Sequence, residues 1–404
     1  MYFGDGVSQR PILRGIGSRA LSFFAFEGLI IAFSLRTFSQ GGNPRDLTLV
    51  YLASILPTIL LSPATGNLVD RLPGRPLRGA AALSALATLA LLGRTSGLAS
   101  MIAQVVVVAV AHSIISSSWQ GSFVSIAPRE RLTEVMGMSQ IANTVVASVT
   151  PAVVGLVIGV VGAQWAYLMI CVAYVGVLLM SLPATPSGEP EDSPRSEEDL
   201  DGAMSGTLYL RRSPSAWRLV AILMVCAVFL GATNVVEVFF LRGDLHATPV
   251  EFGVAAASWP VGALAGARLV AWLEHRIDAH LMVIAAATVT GLAIAAAGLS
   301  PNIEIAACVL LIGGAGNGAL NVSVSSTIMG SCPSHLRGRV ATALGAAANT
   351  AMVVSYVTGG AMAAALSPRT IFIAAGVGCA VATLSLGARL VSKSRIGMPA
   401  QRGG

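Results

Sequence analysis

Twelve apolar stretches of roughly twenty residues, each long enough to cross a ~30 Å hydrocarbon layer as a helix, fall at 18–38, 47–69, 77–95, 98–120, 135–161, 163–182, 217–240, 251–273, 280–299, 303–328, 340–366 and 370–391. In hydrocarbon every backbone N–H and C=O must find its partner within the chain, so runs of this length are restricted to helices. Charged residues make up only 11% of the 404, against about 25% in a soluble domain. A water-soluble fold is set aside. The first run carries Arg19, Glu27 and Arg36 and is too long for the core of a cleavable signal, which makes it a retained membrane helix.

The runs divide six and six about residues 183–216, which hold Pro183, Pro186, Pro190 and Pro194 and seven acidic residues from Glu189 to Asp201. Such a segment cannot bury a core and is expected to be a solvated linker. The predicted fold is therefore an all-α membrane protein of two six-helix bundles, 1–182 and 217–392, with a cytoplasmic tail at 393–404. With both termini in the cytoplasm, twenty of the 25 Lys and Arg residues lie on cytoplasmic tails, loops or helix ends. Arg36, Arg45, Arg94, Arg242 and Arg369 lie outside, the bias expected of a bacterial inner-membrane protein. The net charge of +6 thus belongs to membrane topology and not to nucleic-acid binding. The five cysteines form no CxxC and have no histidine at metal-ligand spacing, so neither a disulfide framework nor a metal site is expected.

Short identities recur at one offset. Ala142-Asn143-Thr144 returns as Ala348-Asn349-Thr350 and Leu35-Arg36 as Leu241-Arg242, both 206 residues on, while Pro128 matches Pro333 at 205. A shared offset close to the spacing of span 1 to span 7 predicts two parallel repeats with a central site between them.

Between spans 2 and 3, GNLVDRLPGRPLR gathers Asp70, Arg71, Arg75 and Arg78 with two prolines. With twelve spans, two halves and a middle linker, the chain resembles the major facilitator superfamily over essentially its whole length. The family's loop signature, G-x-x-x-D-R/K-x-G-R/K, is filled by Gly66, Asp70, Arg71, Gly74, Arg75 and Arg78, with Leu72-Pro73 where the common form has one residue. The resemblance implies that spans 2 and 11 are neighbours. Asp70 would then meet the positive start of span 11 beside Arg337 and Arg339, Gly66 would let the backbones approach, and the contact would latch the inside-closed state. Glu274 and Asp278 facing Arg129 and Arg131 would form a weaker twin. A solvated loop that merely obeys the charge rule is the plain alternative for the arginines.

Glu27 lies mid-span in SFFAFEGLIIAF, where a carboxylate costs about 2.5–3.5 kcal/mol unless it faces a cavity, is paired or takes a proton. Drug exporters resembling this chain often place an acid followed by glycine in the first helix, and Glu27-Gly28 stands there; a structural pairing with a nearby arginine is the alternative. Glu237, with Asn234 one turn before it, is a second coupling candidate or a solvated carboxylate near the interface. Asn143, Asn349, Asn317, Asn321 and His112 are candidates to line the cavity, or else to hydrogen-bond between helices. Pro151 and Gly155 in span 5 resemble a degraded antiporter motif, although a plain kink explains the same residues. Arg19 and Arg268 are expected to snorkel to the interface. GGAGNGAL, Gly313 to Leu320, echoes a dinucleotide loop but has no strand before it, and close helix packing is the expected role.

The functional expectation is a monomeric, proton-coupled exporter of a small amphiphilic compound such as a drug, siderophore or secondary metabolite. It needs no cofactor beyond the proton gradient and no covalent chemistry. Proton-driven uptake is the alternative within transport; a receptor or membrane enzyme on a carrier scaffold is the alternative outside it. Few buried cations are visible, which counts against anionic cargo.

Overall fold

The computed structural model describes residues 9–92, 97–128, 131–181, 206–273, 276–333 and 336–396, and among these there is no strand. The first half holds α1 (Gln9–Ser39), α2 (Pro44–Leu60), α3 (Ser62–Arg71), α4 (Gly74–Leu92), α5 (Leu98–Ile126), α6 (Leu132–Val160) and α7 (Ala163–Ser181). A short α8 (206–212) precedes α9 (Pro214–Val238), which a π-helical turn extends over Phe239–Asp244. Then follow α10 (Pro249–Leu273), α11 (Ala279–Leu299), α12 (Ile303–Ser331), α13 (Arg337–Met362) and α14 (Pro368–Ile396). Ten of these are long and apolar enough to cross a membrane: α1, α5, α6, α7, α9 with its π turn, and α10 to α14.

The other two expected spans differ from expectation in instructive ways. The stretch 47–69 is two helices, broken at Leu61. Pro63 has no N–H to give to the Ile59 carbonyl, which instead accepts from Leu61 N–H. The stretch 77–95 is α4, whose described part ends at Leu92.

The expected linker also keeps part of itself folded. Residues 206–212 form α8, where Leu210 enters the second core and Tyr209 Oη donates to the Ser331 carbonyl at 2.9 Å. Tyr209 and Leu210 pack on the second core, where their apolar surface gains more than by staying in water. The linker's acidic residues lie outside the described residues, as does the tail beyond Ile396.

Two compact units emerge, Met1–Pro194 with Ala247–Ala257, and Arg195–His246 with Ser258–Gly404. In the first, α1 packs against α5, α6 and α7, and α4 against α5 and α7. In the second, α9 packs against α12, α13 and α14, and α11 against α12 and α14. These pairings correspond between the units, as repeats require, although α9 also meets α11 in the second; the protein is an all-α membrane protein of two six-helix bundles.

Lipid tails are as apolar as leucine, so membrane helices associate through close van der Waals packing at small residues. In the second unit this is carried by two G-x-x-x-G pairs, Gly262 and Gly266 on α10 with Gly314 and Gly318 on α12. A Cβ on Gly262 would meet the Leu311 carbonyl, and one on Gly266 the Ala315 carbonyl. Reciprocally, Gly314 backs onto the Trp259 carbonyl and Gly318 onto that of Ala263. GGAGNGAL is thus a packing surface.

Candidate functional site

Along α1, Ala25, Leu29 and Phe33 face the core, while Phe23, Phe24, Glu27 and Ile31, at helical spacing of three and four, form a half-buried stripe. Glu27 sits in the middle of that stripe. Among the described residues its carboxylate has no hydrogen bond and no ion pair. The structural pairing with an arginine, the alternative left open by sequence, is not made there.

Behind the stripe lies a polar cluster that joins three helices. Arg19 donates from Nε to Ser116 Oγ on α5 at 3.3 Å and from a terminal nitrogen to Ser139 Oγ on α6 at 2.6 Å. The expected snorkelling is wrong for this residue, which is 7% exposed. Two serine hydroxyls reach it inside the bundle before it could extend to an interface. One helical turn along, Ser22 Oγ lies 3.0 Å from His112 Nδ1, and the imidazole stacks on Phe26 at 5.3 Å between centroids. His112 therefore has a defined seat between α1 and α5. Asn143, one turn beyond Ser139 on α6, keeps its Oδ1 buried with no hydrogen-bond partner among the described residues.

In the second unit a matching stripe runs along α9 through Leu230, Asn234 and Glu237. Glu237 is half-buried and, among the described residues, unpaired. The π turn begins two residues later, with Leu245 N–H donating to the Phe240 carbonyl at 3.1 Å; such turns are rare and recur at functional sites. Asn321 donates to the Asn317 carbonyl at 2.9 Å and to its Oδ1 at 3.3 Å, so these two form a local pair on α12. Asn349 is exposed on α13.

The charged connection divides between two environments. Gly66 is exposed on α3 with open space where a Cβ would stand. α3 turns Thr65 inward and leaves Gly66 and Asn67 outside. Asp70 belongs to α3, but its side chain lies outside the described residues; Arg71 and Arg75 are exposed. Arg78 is fully buried. Its NH1 donates to Ser118 Oγ at 3.1 Å and Ser122 Oγ at 3.0 Å, and its guanidinium lies 3.9 Å from the centroid of Trp119. Gly74 makes room for that head: a Cβ there would stand 2.8 Å from Arg78 NH1 and 2.9 Å from Ser118 Oγ. A flat fork that stacks on an indole and reaches two hydroxyls has no ammonium equivalent. Arg78→Lys is expected to cost about 1–3 kcal/mol, visible as a lower unfolding temperature of the purified protein; unchanged stability would show the seat to be incidental.

Arg337 on α13 donates from Nε to the Cys332 carbonyl at 3.3 Å, closing the turn before its helix. The Arg339 side chain is exposed, and its carbonyl lies under Gly206 of α8. Of the groups expected to form the twin latch, Asp278 caps α11 by accepting from His280 and Leu281 N–H, and Arg131 pairs with Glu134 at 3.5 Å. Arg129 and Glu274 lie outside the described residues.

Pro151 is buried in α6. Gly155 does more than kink the helix: a Cβ there would stand 2.6 Å from the Pro249 carbonyl oxygen and 2.8 Å from Gly253 Cα, at the start of α10. Sequence reasoning misses Gly253, although Gly253 and Ala257 form a small-x-x-x-small pair.

Residues 34–398 match the family described as transmembrane secretion effector. The uncharacterized MFS-type transporter YfiS of Bacillus subtilis (strain 168) is 22% identical over 381 residues, 91% of this chain and 90% of that protein. The enterobactin exporter EntS of Escherichia coli O1:K1 / APEC is 25% identical over 242 residues, 59% of this chain. That match spans only 54% of EntS, about half its length. A crystal structure of the nucleoside transporter NupG, in a mutant form, is similar with a TM-score of 0.76 at 12% identity, covering 94% of this chain and 99% of that one. A bacterial homologue of the iron transporter ferroportin, in its inward-facing state, gives a TM-score of 0.66 at 14% identity over 95% of this chain and 100% of that one. At such identities these structures speak to the fold alone.

Proposed function

Since the chain belongs to the transmembrane secretion effector family of the major facilitator superfamily, and is a multi-pass membrane transporter, we propose that it exports a small amphiphilic compound in exchange for protons across the bacterial inner membrane. The observation that carries this reading is Glu27. A carboxylate half-buried in the middle of a membrane helix, without a partner among the described residues, is stable in hydrocarbon only while protonated or while facing water. Its charge therefore depends on which side of the membrane reaches it. Protonation from outside favours return to the inward-open form; release inside restores the charge and favours cargo capture. The same bundle holds Arg19 and His112, but Arg19 is bonded to serines and His112 to Ser22.

Glu237 repeats the arrangement on α9 and is a second proton site in this proposal. Asp70, at the end of α3, is proposed as the acid of the cytoplasmic latch. The partial likeness to an enterobactin exporter supports export over uptake and makes enterobactin the first compound to assay. In everted vesicles energised to an acidic lumen, an exporter accumulates labelled enterobactin or another amphiphile inside, and collapse of the pH gradient releases it. Accumulation only in right-side-out vesicles with an acidic exterior would establish uptake instead.

A further inference from the structure

We infer that Arg19 is the seat of an anionic group on the transported compound, with Ser116, Ser139 and Gln120 completing an oxyanion pocket inside the first bundle. The inference rests on the efflux reading and adds the charge of its cargo. Arg19 holds a permanent positive charge at 7% exposure. Its contacts lie seven residues into α6 and ten residues from the end of α5, about 10–15 Å inside those helices. Among the described residues no carboxylate lies within ion-pair distance. Glu27 is eight residues along the same helix, a rise of about 12 Å, too far to neutralise it. Buried cations inside a membrane bundle are costly, and such residues mark substrate pathways.

Hydrogen-bond direction identifies what is missing. Ser116 Oγ accepts from Arg19 Nε at 3.3 Å and from Gln120 Nε2 at 3.4 Å, which leaves its own O–H to donate. Ser139 Oγ accepts from Arg19 at 2.6 Å and keeps its proton in the same way. A guanidinium has five N–H donors, and among the described residues two are used. The cluster therefore presents donors around a positive charge, with the Gln120 amide oxygen as a neutral acceptor and, among the described residues, no anion. Its open side is polar, since Ser116 is half-buried and Gln120 exposed. An amphiphile bearing a carboxylate or similar oxyanion supplies that anion, and the sequence-based leaning against anionic cargo is reversed.

The test needs no gradient, which separates its failure from that of proton coupling. The full chain is purified into phosphatidylcholine nanodiscs, free of anionic lipid, and titrated with 1-naphthoate and its neutral analogue 1-naphthamide. Charge-assisted hydrogen bonds predict a preference for naphthoate of about tenfold or more. Arg19→Gln is expected to bring the ratio to one, and Arg19→Lys to retain part of it. Ligand-free unfolding curves report whether each variant is folded, and the lysine variant decides the matter should the glutamine variant not fold. Equal binding or no binding of the two compounds by the wild type, or a preference that survives in the substituted proteins, would overturn the inference. Loss of proton exchange in vesicles with the anion preference intact would instead overturn the coupling scheme alone.

Discussion

Glu27→Gln is expected to abolish gradient-driven accumulation of cargo while leaving a folded protein. One pH unit corresponds to 1.36 kcal/mol per proton, so a carrier exchanging one proton per cargo molecule sustains about a tenfold concentration ratio for each unit of gradient. Glutamine keeps the shape of a protonated glutamate and removes its titration, so the ratio should fall to one at every gradient. Stability should not fall, because an unpartnered carboxylate in a half-buried site costs more to desolvate than an amide does. The measurement is the accumulation ratio in everted vesicles against the imposed pH difference. A slope unchanged from wild type would remove Glu27 from the scheme. A slope lost in Glu237→Gln and kept in Glu27→Gln would move coupling to the second bundle.

Gly266→Val should have the largest effect on stability. A Cβ at Gly266 falls on the Ala315 carbonyl oxygen and inside contact distance of its Cα, and neither is a flexible side-chain end that could turn away. Overpacking usually costs about 1–3 kcal/mol; against backbone, with the reciprocal Gly318 contact on the Ala263 carbonyl strained by the same displacement, the upper end is expected. Thermal unfolding of the purified protein and its yield as a single size-exclusion peak both report the loss. Gly330→Val, where open space surrounds the position, is the matched control on α12. Equal stability of the two variants would show that the interlock contributes little.

Some of this is legible before any coordinates. The two glycine pairs are visible as small residues four apart, and GGAGNGAL is expected to pack closely. Which helix receives it is not visible. Pro63 announces the break in the second span, and Tyr209-Leu210 the folded end of the linker, yet both disappear into longer averages of hydropathy and charge. Arg19 is the plainest miss. Its serines lie 97 and 120 residues away, and nothing near position 19 separates an arginine that reaches an interface from one held inside a bundle. Arg78, grouped by its motif with the exposed arginines of the latch, proves to be buried against Trp119.

By itself the sequence determined that the chain crosses a membrane many times, that its halves repeat, and where charge gathers between spans. Those properties follow from constraints acting on each segment separately: the thickness of hydrocarbon, the need to satisfy the backbone within a helix, and the cost of carrying arginine across. Tertiary structure alone decided which face of each helix meets a neighbour, and hence that Glu27 is unpaired among the described residues, that Arg19 and Arg78 are buried, and that glycines interlock α10 with α12. The reason is that lipid and a neighbouring helix select the same apolar side chains. Rotation about the helix axis is set by contacts between residues far apart in the chain, and only their joint packing reveals it.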